Sequence, residues 1–144
     1  MYWRKVGAVL LIVVCTACST FKRDWNQARN DPVSIQGMAG AWDGDWRSAV
    51  NHHHGRLQCL MTKESEGKYR ARFHATFAKI FHSTYTVPLS VVESNGVYRL
   101  EGEADLGSLA GGTYKYLGQA TPTNLNSTYQ SKYDHGLFEL KRPE

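Results

Sequence analysis

The chain has 144 residues, with 17 Lys+Arg against 13 Asp+Glu and a formal net charge of +4. That length allows one domain and excludes two of ordinary size. Hydrophobic residues at 42% and aromatics at 12% exclude wholesale disorder, and 13 Gly with only four Pro suit β-structure with tight turns.

The N-terminus reads first as an address. Met1 to Lys5 is a short basic segment, Val6 to Val14 an unbroken apolar run, and Cys15-Thr-Ala-Cys-Ser19 a small-residue exit. Together they describe an export signal over residues 1–17. The run is shorter than the roughly 20 residues a membrane span needs. The exit resembles a bacterial lipobox, with Thr16 and Ala17 before Cys18, although Cys15 stands where that family usually has Leu. The resemblance implies lipidation at Cys18 and a protein held on a membrane surface of the cell envelope, facing the periplasm or exterior. The alternative is ordinary cleavage near Ala17 and a secreted protein. Cleavage before Cys18 leaves 127 residues and removes Arg4 and Lys5, so 15 basic residues face 13 acidic ones, a net +2. A nucleic-acid partner is then not expected. Cys59 is left without an intrachain partner if Cys18 carries lipid, so no disulfide scaffold is expected.

Residues 18–36 read as a linker with a short helix. Phe21, Trp25 and Ala28 fall at i, i+4 and i+7 on one helical face, and Asp31-Pro32 ends the pattern. Residues 37–144 read as the folded domain, where the apolar period becomes two. The runs are Gly40–Ser48, Arg56–Thr62, Tyr69–Phe77, Phe81–Val91, Val97–Leu106, Thr113–Ala120, Leu125–Ser131 and Gly136–Lys141. Alternation of this kind means one buried and one wet face. Turn signals separate the runs, and Asn95-Gly96 is the strongest hairpin signal among them. With no long helix between runs, the prediction is all-β: an antiparallel up-and-down barrel of about eight strands, with a β-sandwich as alternative.

Gly40-Ala-Trp42, opening the first strand, resembles the Gly-x-Trp of lipocalin-type and avidin-type barrels. The resemblance implies that Trp42 closes one barrel end and that Arg142, just past the last strand, lies across it. The whole chain also looks like small bacterial lipoproteins, a likeness that implies no activity.

The candidate chemistry is sparse. His52, His53 and His54 offer three imidazoles, yet strand neighbours point to opposite sides, so a shared metal is not expected. Ser131 near Asp134-His135 lacks a Gly-x-Ser-x-Gly elbow and reads as a turn. Glu101, Glu103 and Asp105 read as a solvated stripe, placed opposite Arg70 and Arg72. Cys59 alternates with Leu57 and Met61 and reads as a buried thiol. Trp46, Phe73, Phe77, Phe81, Tyr85, Tyr98, Tyr114, Tyr116, Tyr129 and Phe138 are expected to face inward, with Trp46, Tyr85, Tyr114, Tyr116 and Tyr129 as lining for any ligand. The sequence therefore reads as a non-enzymatic envelope barrel without cofactor, acting as a structural or interaction module. The alternative is lipocalin-like binding of a small apolar or amphipathic molecule.

Overall fold

The computed structural model describes residues 20–31 and 37–144. The signal segment, Cys18 and residues 32–36 lie outside the described residues. One helix, α1 (residues 20–29), precedes eight strands. These are β1 (Gly40–Ser48), β2 (His54–Ser65), β3 (Lys68–Phe77), β4 (Phe81–Ser94), β5 (Val97–Asp105), β6 (Thr113–Ala120), β7 (Asn124–Gln130) and β8 (His135–Lys141). Every strand pairs antiparallel with its sequence neighbour, and β8 returns to β1 to close the barrel. The closed barrel excludes the sandwich alternative.

The sequence pattern explains the register. Trp42 on β1 lies opposite Cys59 on β2, which lies opposite Phe73 on β3, so the apolar sets of neighbouring strands share one face. The core joins Trp42, Leu57, Cys59, Met61, Ala71, Phe73, Val87, Leu89, Leu100, Leu125, Phe138 and Leu140 inside the barrel. At β4–β5, Asn95 and Gly96 both take positive φ, 53° and 78°. Gly adopts such a conformation without penalty and Asn tolerates it, which is why this dipeptide turns tightly.

Leu60 departs from simple alternation. It points away from the barrel interior, yet it is buried, because α1 lies over the outer wall. Phe21, Trp25, Ala41 and Leu60 form a second apolar cluster there, with Ala28 packed against it. Trp25 Nε1 donates to the Trp42 carbonyl at 3.1 Å. Arg72 on β3 bonds Asp24 of α1 at 3.0 Å, and its guanidinium lies 5.7 Å from the Phe21 ring. Arg70 bonds Glu64 of β2 at 3.4 Å. The expected pairing of both arginines with the acidic stripe is thus overturned: β4 stands between β3 and β5, so Glu101, Glu103 and Asp105 face other neighbours.

The ends differ. The connections 66–67, 95–96 and 121–123 lie at one end with Trp42 and Arg142, called here the closed end. The connections 49–53, 78–80, 106–112 and 131–134 lie at the other, the mouth. The β4–β5 seam is laddered only in its closed-end half, from Leu89–Gly102 to Ser94–Val97. Toward the mouth, β4 pairs with β3 and β5 with β6.

Candidate functional site

Below the mouth lies a cavity of about 200 Å³. The up-and-down order brings Trp46 from β1, Ala75 from β3, Ser83 and Tyr85 from β4, Tyr114 from β6 and Tyr129 from β7 to its walls. Leu57, Tyr116 and Phe138, all buried, form its inner part, while Leu106, Ala110 and Asp134 belong to the mouth. A larger groove of about 690 Å³ follows the outside of β3–β6 past Lys68, Glu101, Glu103 and Lys115, and is open and charged. Size alone does not favour it, because its charged lining lies along the outer wall rather than converging inside the barrel.

The cavity walls are held by ring packing. Phe73 stacks on Tyr85 at 5.3 Å between ring centroids and meets Phe138 edge-on at 5.5 Å. Tyr114 lies 6.1 Å from Tyr129 and 6.4 Å from Tyr116. Such offset and tilted pairs are the preferred aromatic geometries. Trp46 is fixed differently: its Nε1 donates to the Thr76 carbonyl on β3 at 3.2 Å, reaching across β2. Gly55 makes that possible. It sits opposite Trp46, and a Cβ there would lie 1.7 Å from the Thr76 oxygen and 2.9 Å from Trp46 Nε1.

Among the described residues, one carboxyl group lines the cavity. Asp134 accepts a 2.6 Å hydrogen bond from Ser48 Oγ and a longer one, 3.4 Å, from the Tyr129 hydroxyl. Ser48 is itself buried and accepts from the Val50 and Asn51 amides at 3.1 and 3.3 Å. Burial pushes the phenols of Tyr85, Tyr116 and Tyr129 above the ordinary tyrosine range, so all three stay neutral near neutral pH. Among the described residues the lining holds no Lys, Arg or His. The arrangement can therefore stack on a flat apolar group and accept hydrogen bonds from it, but offers no counter-charge to an anion.

The structure brings together Trp46, Tyr85, Tyr114, Tyr116 and Tyr129, the five of the ten inward-parity aromatics expected to line a ligand site. Two other expected inward rings lie elsewhere. Phe81 has inward parity but sits at the mouth end of β4 and is 60% exposed. Tyr98 lies at the closed end, its hydroxyl against Gly37. Ser48 and Asp134 carry the site's polar chemistry, and their contact escaped the sequence reading, which saw in Asp134 only a turn, because eighty-six positions separate them. The one local cue was a Ser ending the inward face of β1. Asp134 itself belongs to a turn, in which Ser131 Oγ accepts its amide at 3.1 Å.

At the closed end, the Arg142 guanidinium lies 3.9 Å from the Trp42 ring centroid. It also donates to the carbonyls of Gly37, Ala39, Ala41 and Pro122 at 2.8–3.3 Å. Trp42 is fully buried, and its Nε1 donates to the Met38 carbonyl at 3.0 Å. His52, His53 and His54 do not converge: His53 packs on Phe77 at 4.7 Å, and His54 Nδ1 lies 3.4 Å from the His52 carbonyl. Among the described residues no three His, Cys, Asp or Glu side chains gather to hold a metal. His74 and His82, on the outward positions of β3 and β4, form a pair with ring nitrogens 3.2 Å apart. Cys59 is buried, and desolvation pushes its thiol far above the ordinary range, which leaves it unreactive.

No protein-family model matches the chain, and no curated protein does so either. Solved structures do. A de novo designed fluorescence-activating β-barrel aligns with TM-score 0.54 at 18% identity, over 76% of this chain and 97% of its own. A redesigned β-barrel bound to DFHBI aligns with TM-score 0.56 at 14% identity, over 76% of this chain and 98% of its own. A fatty-acid-binding protein of Echinococcus granulosus aligns with TM-score 0.39 at 12% identity, over 75% and 98%. At such identities the likeness to the two designed barrels shows the fold: this chain is a closed, eight-stranded, antiparallel up-and-down barrel.

Proposed function

We propose that the barrel is a binding protein that holds one small, mostly apolar molecule, neutral or carrying an amine, in the cavity below its mouth. The observation that carries this reading is the convergence of rings from β1, β4, β6, β7 and β8 on one carboxylate, in a space of about 200 Å³. That is smaller than the roughly 300–1,000 Å³ of drug-sized sites, so a molecule of one or two rings suits it. Such a pocket, apolar with a few placed polar atoms, is the ordinary form of a ligand site. A similar barrel bound to DFHBI supports the view that this fold accommodates a small organic guest. The reading includes no catalytic step, since no basic residue in the described lining could work with Asp134 as an acid–base partner. It also takes the protein to be anchored at the cell envelope by lipid on Cys18, which the sequence of the export segment supports.

The test is isothermal titration with three matched probes: 4-phenylbutylamine, 4-phenylbutanol and 4-phenylbutyrate. The amine and the alcohol are expected to bind, and the carboxylate at least about tenfold more weakly, a difference near 1.4 kcal/mol. Tyr114→Ala should weaken both of the binding probes. No heat with any probe would sink the binding reading. Tighter binding of the carboxylate would overturn only the ligand class.

A further inference from the structure

Among the described residues eight large apolar side chains are exposed, and five of them gather at the mouth: Val50 at 51%, Ile80 at 71%, Phe81 at 60%, Tyr133 at 69%, and Leu109 fully. The other three, Val92, Leu117 and Leu137, stand on outward positions of β4, β6 and β8. Val50, Ile80, Leu109 and Tyr133 each occupy one of the four mouth connections, and Phe81 adjoins the second of them. The closed-end connections carry nothing similar: they are Glu66-Gly67, Asn95-Gly96 and Thr121-Pro122-Thr123. Leaving an isoleucine, a phenylalanine and a leucine in water on one rim is costly, and such a concentration marks an interaction surface.

Charge and chain direction identify the partner. The mouth connections carry Lys79 and Lys132 directly beside Ile80 and Tyr133. Their one acid, Asp134, is held by Ser48, and Asp105 behind the rim accepts the Gly107 amide at 2.9 Å. Apolar tips with flanking Lys and a Tyr match the interfacial zone of an anionic bilayer. α1 runs from the mouth half of the wall, where Phe21 stacks on His74 at 5.4 Å, to the closed end, where Arg29 donates to the Glu144 carbonyl. Thr20, the first described residue and two positions after Cys18, therefore stands on the mouth-facing side of the barrel. We propose that the mouth of the barrel docks on a lipid bilayer, with Val50, Ile80, Phe81, Leu109 and Tyr133 entering the interfacial layer. This goes beyond the ligand reading and does not rest on it.

The test is amide hydrogen exchange on the full chain in phosphatidylcholine–phosphatidylglycerol vesicles, compared with Ile80→Ser/Leu109→Ser in the same vesicles. Both chains keep the N-terminal segment, so recruitment by that segment is the same in each. Exchange in connections 49–53, 78–80 and 106–112 is expected to be at least about threefold slower in the unaltered chain, with 66–67, 95–96 and 121–123 unchanged. Equal exchange at the two ends of the unaltered chain would overturn the proposal, whatever the variant does. So would mouth protection of the same size without vesicles, which would mean that a second copy of the chain covers the rim.

Discussion

Arg142 is the residue on which the closed end depends. Its guanidinium donates to four backbone carbonyls and covers one face of Trp42. Burial lowers its pKa, yet with no carboxylate paired to it among the described residues the charge is balanced by carbonyl dipoles and the indole face. Removing it takes the donor from three part-buried carbonyls and one exposed one, which costs about 1–2 kcal/mol, while Trp42→Ala opens a core void at about 3–5 kcal/mol. Denaturant titration should therefore rank Trp42→Ala below Arg142→Ala, with Arg142→Lys recovering little, since a single ammonium cannot serve four acceptors and the ring together. A near-neutral Trp42→Ala would show that the indole does not plug this end. The pairing of these residues was legible through the Gly-x-Trp resemblance, which implies it, and not through any local pattern of their own. The contact of Ser48 with Asp134 was not, since no local pattern announces a hydrogen bond between a strand end and a distant turn.

At the scale of the element, α1 shows what periodicity can and cannot say. The i, i+4, i+7 spacing of Phe21, Trp25 and Ala28 predicts the helix and its buried face. It does not say which wall receives that face. The receiving wall was hidden in Leu60, an apolar residue on an outward position of β2, and in His74, which looked like one polar residue among several. His74 is enclosed by Phe21 of α1, Arg56 of β2, and Thr84 and His82 of β4. Burial, then His82 and Arg56, lower its pKa from the ordinary 6.5. Its folded pKa thus lies below its unfolded one, so the unfolded chain takes up the proton first. The stability tied to a neutral His74 is present above about pH 6.5 and is lost as pH falls below it. Thermal melts should show a decline over that window that His74→Gln reduces. An unchanged profile in that variant would remove His74 from the account. The eight strands were easier: inward and outward residues alternate so regularly that even their register follows. Where alternation failed, as for Phe81, the reason is position, since correct parity does not bury a side chain that stands at the rim.

For the whole molecule, closure is uneven. Seven seams and part of the eighth are laddered, while the mouth half of β4–β5 is not. Pro88 brings no N–H to the ladder, at the point where β4 leaves β5. Alternate amides of β4 between Phe81 and Val87 should exchange faster than those from Leu89 to Ser94, and uniform protection along β4 would contradict an open half-seam. The barrel is thus firm around its core and looser around its cavity, the usual division between scaffold and site.

The three described indoles extend that division into spectroscopy. Trp25 seats α1 against the wall, Trp42 fills the closed end, and Trp46 flanks the cavity, each with its Nε1 bound to a different backbone carbonyl. The described residues therefore carry three of the chain's four indoles, one for each event that can befall the barrel. A guest near Trp46 should quench or shift one emitter and leave the other two alone. Release of α1 should redden Trp25 first, and loss of the fold should redden all three together. Single Trp→Phe replacements would turn one overlapping spectrum into three separate reports on occupancy, docking and unfolding.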